Sequence, residues 1–101
     1  IINVSSVAGI QGVEKFSGLT PYTVSKFGIV GLTESLAVEG SSLGIKVNCI
    51  APGAVDTAML RKAAPFLKTQ TKPSHIAKKI LEIALDAEAH NITGKTFVLR
   101  D

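Results

Sequence analysis

The sequence has little of what would place it outside the ordinary globular proteins. It contains one cysteine and no tryptophan, so no disulfide can form within it, and we expect a protein of the reducing cytoplasm. No apolar run approaches the roughly 18 residues that a membrane-spanning helix needs, so we expect no membrane partner. The formal net charge is only +3, and no aromatic residues alternate with the basic ones, so we expect no nucleic acid partner either.

Candidate metal ligands are also sparse. His75 and His90 are separate in the sequence and lack the spacing of metal-binding motifs, so we predict no metal site and assign both to the surface. Cys49 lies in an apolar run and is best interpreted as a small buried side chain. Its neighbour Asn48 is assigned to bracing the strand and the turn that follows rather than to catalysis.

The sequence does contain an alternation of short apolar runs and longer helical patterns. Three runs rich in β-branched residues are typical of strands buried on both faces of a parallel sheet. These runs are Ile1–Val4, Ile45–Ala51 and Lys95–Leu99. At 101 residues, the chain has room for one small domain.

Two helices are predicted between the strands. The first runs from Pro21 to about Glu39, with Thr20 as its N-cap and glycines after its end. The second follows Pro73 and ends near Asp86 to Ala89. One apolar stripe marks its inner face; it comprises Ile76, Ile80, Ile83 and Ala84. The stretch Val7–Thr20 is predicted to be a loop, and Val55–Gln70 to be irregular with some helix around Ala58–Ala64.

This order predicts an α/β fold with three parallel strands and two main helices. Parallel strands are buried on both faces, and two helices leave part of the sheet uncovered. The predicted unit therefore needs either the rest of a doubly wound sheet or a partner chain.

One pair of residues suggests chemistry. Tyr22 and Lys26 are four residues apart on the first helix, so their Cβ atoms lie roughly 5–6 Å apart on one face. A nearby ammonium favours the phenolate and lowers a tyrosine pKa, which would suit the phenol to general acid–base work. Ser5 and Ser6 stand at the carboxyl end of a parallel strand, where ligands bind in open α/β sheets. The same spacing also occurs as a surface pair on many helices.

Several ordered motifs resemble the carboxyl-terminal half of the short-chain dehydrogenase/reductase family. YTVSK (Tyr22–Lys26) is similar to the Tyr-x-x-x-Lys signature of that family, and it follows a strand motif with two serines. The matching segments, which cover essentially the whole chain, are NVSSVAG (Asn3–Gly9), YTVSK, VNCIAPGAVDT (Val47–Thr57), KPSHIAKKIL (Lys72–Leu81) and TGKTFVL (Thr93–Leu99).

The resemblance implies roles for particular residues. Ser6 would orient the substrate oxygen, with Ser5 as the less favoured candidate, and Tyr22 would be the acid/base. Lys26 would bind the nicotinamide ribose and lower the tyrosine pKa. The carboxamide of the nicotinamide would be held by the turn after the second strand, namely by Pro52, Gly53, Val55 and Thr57. For Thr57, an N-cap of the next segment is the alternative.

The resemblance further implies an NAD- or NADP-dependent oxidoreductase that interconverts an alcohol and a ketone by hydride transfer. Residues 1–101 would be the catalytic half of a Rossmann-like, doubly wound domain, without its amino-terminal cofactor-binding half. A homo-oligomer, dimer or tetramer, would form through the Tyr22–Glu39 helix, where Gly28 and Gly31 permit close packing. The substrate would be a small alcohol or carbonyl compound.

Two alternatives stay open. The chain could be a truncated, inactive fragment that persists by association with other chains. A hydrolase that uses Ser6 and Lys26 is remote, because it would need an oxyanion hole and a dry lysine.

The sequence also departs from the family pattern. The interval from Ser6 to Tyr22 is longer than usual, and the extra residues, around Val13–Leu19, would lie beside the substrate. No Gly-rich turn after a first strand is present. The family's upstream catalytic asparagine also has no counterpart in the sequence.

Overall fold

Strands and helices alternate along the chain in the predicted order. The structure is a computed structural model, and it describes residues 1–100. The elements are β1 (Ile2–Val4), α1 (Thr20–Gly40), β2 (Asn48–Pro52), α2 (Ala58–Ala63), α3 (Pro73–His90) and β3 (Thr96–Leu99). Single turns of 3₁₀ helix occupy Val7–Gly9, inside the predicted loop, and Ser41–Leu43, after α1.

The strands form one parallel sheet in the order β1-β2-β3. Val4 is level with Ile50 across the first pair, and Pro52 is level with Leu99 across the second. The α/β fold with parallel strands is therefore confirmed. Because all strands run the same way, their carboxyl ends meet at one edge of the sheet.

The core is centred on β2, of which all five residues are buried. Cys49 is fully buried there, as predicted. Asn48 is also fully buried, and both polar atoms of its side-chain amide make hydrogen bonds. Its Nδ2 donates to the carbonyl of Ile92 at 2.9 Å and its Oδ1 accepts from the amide of Lys95 at 3.0 Å. These bonds attach β2 to the turn that leads into β3.

The start of α1 differs from the prediction. Thr20 is the first helical residue rather than the N-cap, and the cap position is held by Leu19, whose side chain makes no capping bond. The carbonyl of Leu19 instead accepts from the amide of Thr23 at 2.8 Å. A tight turn before the helix, in which the amide of Leu19 donates to the carbonyl of Phe16, sets this starting point.

The second strand begins at Asn48, three residues later than predicted. The amide of Ile45 donates to the carbonyl of Gly40, and that of Val47 donates to Oγ1 of Thr93. These two amides pair with the end of α1 and with a side chain of the turn before β3 instead of a neighbouring strand, so Ile45–Val47 lie outside the ladder. The other ends differ by one residue: β1 omits Ile1, β2 includes Pro52 and β3 omits Lys95.

The third helix has the predicted apolar stripe. Ile83 and Ala87 are buried, and Ile76 and Ile80 are half-buried, whereas Lys78 and Lys79 are exposed. Among residues 1–100, no helix combines the length and the apolar character that crossing a membrane requires.

Candidate active site

Two of the predicted functional segments, Ser5–Ser6 and Pro52–Gly53, lie at the carboxyl edge of the sheet. The pairing of β1 with β2 continues one residue beyond β1, because the amide of Ser5 donates to the carbonyl of Ile50 at 2.8 Å. Ser6, the next residue, therefore leaves the sheet beside the end of β2 at Pro52. The backbone of Gly53 stays attached to the neighbouring strand, since its amide donates to the carbonyl of Leu99 at 2.7 Å.

Tyr22 and Lys26 lie in the first two turns of α1 and contact each other. The Nζ atom of Lys26 lies 5.3 Å from the centroid of the Tyr22 ring. Tyr22 is 38% exposed, whereas Lys26 is half-buried. The predicted sharing of one helix face is therefore realised as a cation–π contact, with the ammonium against the ring.

The two serines have different environments. Ser6 is half-buried, and its Oγ accepts a hydrogen bond from the amide of Ala8 at 3.1 Å. This bond uses a lone pair and leaves the hydroxyl hydrogen of Ser6 free to donate. Ser5 is only 4% exposed, and its Oγ donates to the carbonyl of Lys26 at 2.8 Å. The hydroxyl of Ser5 is thus used inside the protein, which disfavours Ser5 as the residue that meets the substrate.

The segment after β2 presents backbone donors. Within residues 1–100, the amides of Val55 and Thr57 make no hydrogen bond. The side chain of Thr57 is the N-cap of α2, because its Oγ1 accepts from the amide of Leu60 at 3.1 Å. Two unpaired N–H groups, two residues apart in a half-exposed loop, can bind a carbonyl oxygen such as that of a carboxamide.

An ion-pair cluster that the sequence did not predict holds this segment. The carboxylate of Asp56 pairs with Arg61 and with Lys72, the latter at 3.3 Å, and its backbone amide donates to the carbonyl of Thr71 at 2.8 Å. The hydrogen bond from Lys72, followed by that from Arg61, holds the pKa of Asp56 below its ordinary value. The charge pattern of the sequence contained these residues, but the pairing with Lys72 depends on where α3 begins.

An aromatic contact links the same segment to the loop before α1. The rings of Phe16 and Phe66 meet edge to face, with centroids 5.7 Å apart. In the loop, the Nζ of Lys15 donates to the carbonyls of Ile10 and Val13 and lies 5.6 Å from the Phe27 ring centroid. The two exposed segments that flank Tyr22 and Pro52 in the sequence are thereby tied together. In the described part of the chain, no group of three His, Cys, Asp or Glu side chains could hold a metal ion.

The family model for short chain dehydrogenases matches residues 1–68. The chain therefore belongs to the short-chain dehydrogenase family.

Relatives match over most of the chain. It is 50% identical over 110 residues to dehydrogenase/reductase SDR family member 4 of Oryctolagus cuniculus, covering 96% of this chain and 42% of that protein. It is 38% identical over 105 residues to the 3-oxoacyl-[acyl-carrier-protein] reductase FabG of Chlamydia trachomatis, covering 94% of this chain and 41% of that protein. The chain thus spans about two fifths of the length of these relatives.

Solved structures share the fold. ElxO with NADP bound has a TM-score of 0.79 at 28% identity, covering 99% of this chain and 44% of that chain. A 4-hydroxyisoleucine dehydrogenase complexed with NADH has a TM-score of 0.74 at 32% identity, with the same coverage of 99% and 44%. The sheet edge described above therefore belongs to a Rossmann-like, doubly wound fold, as predicted.

Proposed function

We propose that this chain carries the catalytic half of an NAD- or NADP-dependent oxidoreductase that interconverts an alcohol and a carbonyl compound. The observation that carries the proposal is the hydrogen bond from Ser5, the residue before Ser6, to the carbonyl of Lys26, which joins the end of β1 to the helix that carries the Tyr22–Lys26 contact. The segment after the neighbouring strand β2 adds the amides of Val55 and Thr57, which are unpaired within residues 1–100. An acid/base, a donor for a substrate oxygen and a donor set for a carboxamide are the groups that this reaction needs.

The residues present fit the nicotinamide end of the cofactor. The unpaired amides of Val55 and Thr57 can donate to a carboxamide oxygen. The Pro52–Gly53 turn, which is bonded to β3, sets the position of the segment that carries them. The Lys26 ammonium can donate to ribose hydroxyls. When bound, a nicotinamide supplies or accepts the hydride. The 101 residues contain no Gly-rich turn for the pyrophosphate, so the proposal covers only the nicotinamide part of the site.

The proton chemistry follows from the side chains. In the reducing direction, Ser6 donates a hydrogen bond to the carbonyl oxygen and Tyr22 gives its phenolic proton to that oxygen, while hydride arrives at the carbon. In the oxidising direction, the Tyr22 oxygen takes the hydroxyl proton as hydride leaves the carbon. Lys26 balances the charge that Tyr22 carries when it is deprotonated.

The substrate proposed is a small carbonyl or alcohol compound. Among the relatives are a 3-oxoacyl-[acyl-carrier-protein] reductase and a levodione reductase from Leifsonia aquatica, whose names specify carbonyl reduction. These relatives favour the oxidoreductase over an inactive fragment and over a hydrolase that uses Ser6 and Lys26.

We further propose that two copies of the chain associate through the outer face of α1. Val24, Leu32 and Val38 on this helix are half exposed or more. Side chains placed at Gly28 and Gly31 would meet nothing within 4 Å. An apolar face with small residues lets two helices approach closely, so a second copy of the same helix is a suitable partner.

Tyr22→Phe tests the chemical assignment. Removal of the phenolic oxygen leaves the ring and its contact with Lys26, so the fold should persist while turnover falls roughly 10²–10⁴-fold, the contribution of a general acid–base group. The intact mass of the protein is measured first, to establish whether the sample contains more than these 101 residues. Oxidation of NADH and of NADPH is then followed by absorbance with a panel of ketones.

Thr23→Val is the matched control, because it removes a hydroxyl from the adjacent residue and should keep the wild-type rate. Full activity in Tyr22→Phe would refute the acid/base role. Labelling of Ser6 by an ester probe, without any cofactor-dependent reaction, would favour the hydrolase instead.

A further inference from the structure

The adjacent serines after β1 perform different tasks. The hydroxyl of Ser6 has its hydrogen free, as described above, whereas Ser5 is buried and donates to the main-chain carbonyl of Lys26 at 2.8 Å. This bond spans 21 residues of sequence. It connects the residue next to the proposed substrate-orienting serine with the backbone of the proposed cofactor-binding lysine.

The packing at Gly9 shows how tight this junction is. A Cβ atom placed on Gly9 would lie 2.6 Å from the carbonyl oxygen of Lys26 and 2.6 Å from Oγ of Ser5. Such a separation is far below van der Waals contact, so only glycine fits there without movement. The turn Val7–Gly9, which Ser6 caps, therefore packs directly against the backbone of α1 at Lys26.

The junction sets the geometry of the proposed site. Ser6 is on the strand side, and Tyr22 and Lys26 are on the helix side, so their separation depends on how β1 and α1 are joined. β1 is also joined to α1 by the bond that Asn3 Nδ2 donates to Thr33 Oγ1 at 3.0 Å. In the described residues, however, the Ser5 bond is the only hydrogen bond that links Ser5, Ser6 or the Val7–Gly9 turn to α1. Misplacement of reacting groups by about 1 Å can cost on the order of 10²-fold in rate.

We infer that Ser5 is a positioning residue, which holds the Ser6 hydroxyl at a fixed distance from the Tyr22–Lys26 pair through its hydrogen bond to the Lys26 carbonyl. The inference rests on the proposed function of Ser6, Tyr22 and Lys26. It assigns no contact with substrate or cofactor to Ser5.

The test compares Ser5→Ala with Ser5→Thr in the protein with NADH or NADPH and a carbonyl substrate. Ser5→Ala loses the bond and should lower kcat by roughly 10- to 100-fold, while KM for the cofactor changes little because Ser5 does not touch it. Ser5→Thr keeps the hydroxyl and should recover most of kcat. Ser42→Ala removes a hydroxyl from an exposed turn and should behave as the wild type.

Some kinetic results would overturn the inference. These are an unchanged kcat in Ser5→Ala, an equal loss of kcat in Ser5→Ala and Ser5→Thr although both fold, and a loss accounted for by a smaller fraction of cofactor-binding protein. The last result would mean that Ser5 contributes to stability alone.

Hydrogen exchange separates this inference from the proposed function. In Ser5→Ala, the amides of Gly9 and of the α1 turn around Lys26 should exchange faster than in the wild type, whatever the activity. If the wild type reduces no carbonyl compound, the proposed function fails, and this exchange difference alone decides whether Ser5 joins the two elements. Unchanged exchange at these amides in Ser5→Ala would show that Ser5 does not join the end of β1 to α1.

Discussion

The two sides of the candidate site are held in different ways. On one side, the β1 end and α1 meet through the hydrogen bond from the buried Ser5 to the carbonyl of Lys26 and through the close approach of Gly9. On the other side, residues 54–72 are held by the Asp56 ion pairs, by the Phe16–Phe66 contact and by two bonds at the base of the segment. These last bonds are Asp56 amide to Thr71 carbonyl and Thr69 Oγ1 to Ala54 carbonyl.

The junction between β1 and α1 should therefore be rigid, whereas residues 54–72 should move more easily. Buried hydrogen bonds and tight packing tolerate little displacement, which suits groups that transfer a proton. Exposed ion pairs and a partly exposed ring contact stabilise little and exchange easily with water. A segment tied in that way should open locally at a lower free-energy cost than the junction between β1 and α1. Substitutions on the two sides should therefore differ in both size and extent of effect.

The largest effect is expected for Gly9→Ala. The added Cβ would meet backbone and side-chain oxygens at 2.6 Å, so the turn and α1 must separate, at a cost of about 1–3 kcal/mol in the free energy of unfolding. Urea denaturation monitored by circular dichroism measures this cost. A stability equal to that of the wild type would mean that the junction is not tight.

Gly31→Ala, in α1, is the matched control. Its Cβ would meet nothing within 4 Å, and alanine is the better helix former by up to about 1 kcal/mol. The dissociated chain should therefore be unchanged or more stable. If α1 joins two copies, the same methyl group should weaken their association, which sedimentation at several concentrations would detect. Unchanged association would argue against an α1 interface.

A smaller and more local effect is expected for Phe66→Ala. Edge-to-face ring pairs contribute about 0.5–1.5 kcal/mol, and Phe66 is 65% exposed, so the loss should lie at the lower end. Amide exchange should accelerate in residues 10–19 and 64–69 and stay unchanged in β2. Met59→Ala removes an exposed apolar side chain from α2 without breaking a ring contact, and should leave residues 10–19 unaffected. Acceleration throughout the sheet would contradict the separation of the two sides.

The smallest effect is expected for Asp56→Asn, and it should depend on pH. Because the Lys72 hydrogen bond lowers the pKa of Asp56 from 3.8, the carboxylate stabilises the fold above that pH and loses this contribution as the pH falls through the lowered value. The wild type should therefore exceed the variant slightly at neutral pH and match it in strong acid or high salt. Urea midpoints in these conditions test this, and a difference that grows towards acid pH would refute it.

Local patterns determined most of the fold. The β-branched runs, Pro21 and the glycines at and just after the end of α1 were sufficient for the order of the elements and for the parallel sheet. The start of β2 was predicted wrongly because it depends on Thr93, a residue distant in sequence whose hydroxyl oxygen accepts a hydrogen bond from the amide of Val47. The N-cap of α1 was predicted wrongly because the turn at Phe16–Leu19 brings Leu19, rather than Thr20, to the cap position.

The candidate site could be predicted only in part. The motif around Tyr22 and Lys26 identified the residues, and their roles stay proposals that the variants above test. The resemblance favoured Ser6 over Ser5, but no local pattern could predict the task of Ser5, because its hydroxyl bonds to the carbonyl of Lys26, 21 residues away. The Asp56 cluster was equally hidden, since its partner Lys72 comes close only once α3 has its observed start.

The burial of Cys49 gives the protein a built-in reporter. Its thiol is fully shielded in the central strand, with Sγ 3.4 Å from the carbonyl of Ile50. An alkylating reagent can reach it only when a neighbouring element of the sheet detaches. Because the sequence has no other cysteine, the alkylation rate measures how often that detachment occurs. If NADH binds at the strand ends and makes detachment from the sheet rarer, the alkylation rate of Cys49 should be lower with NADH than without it.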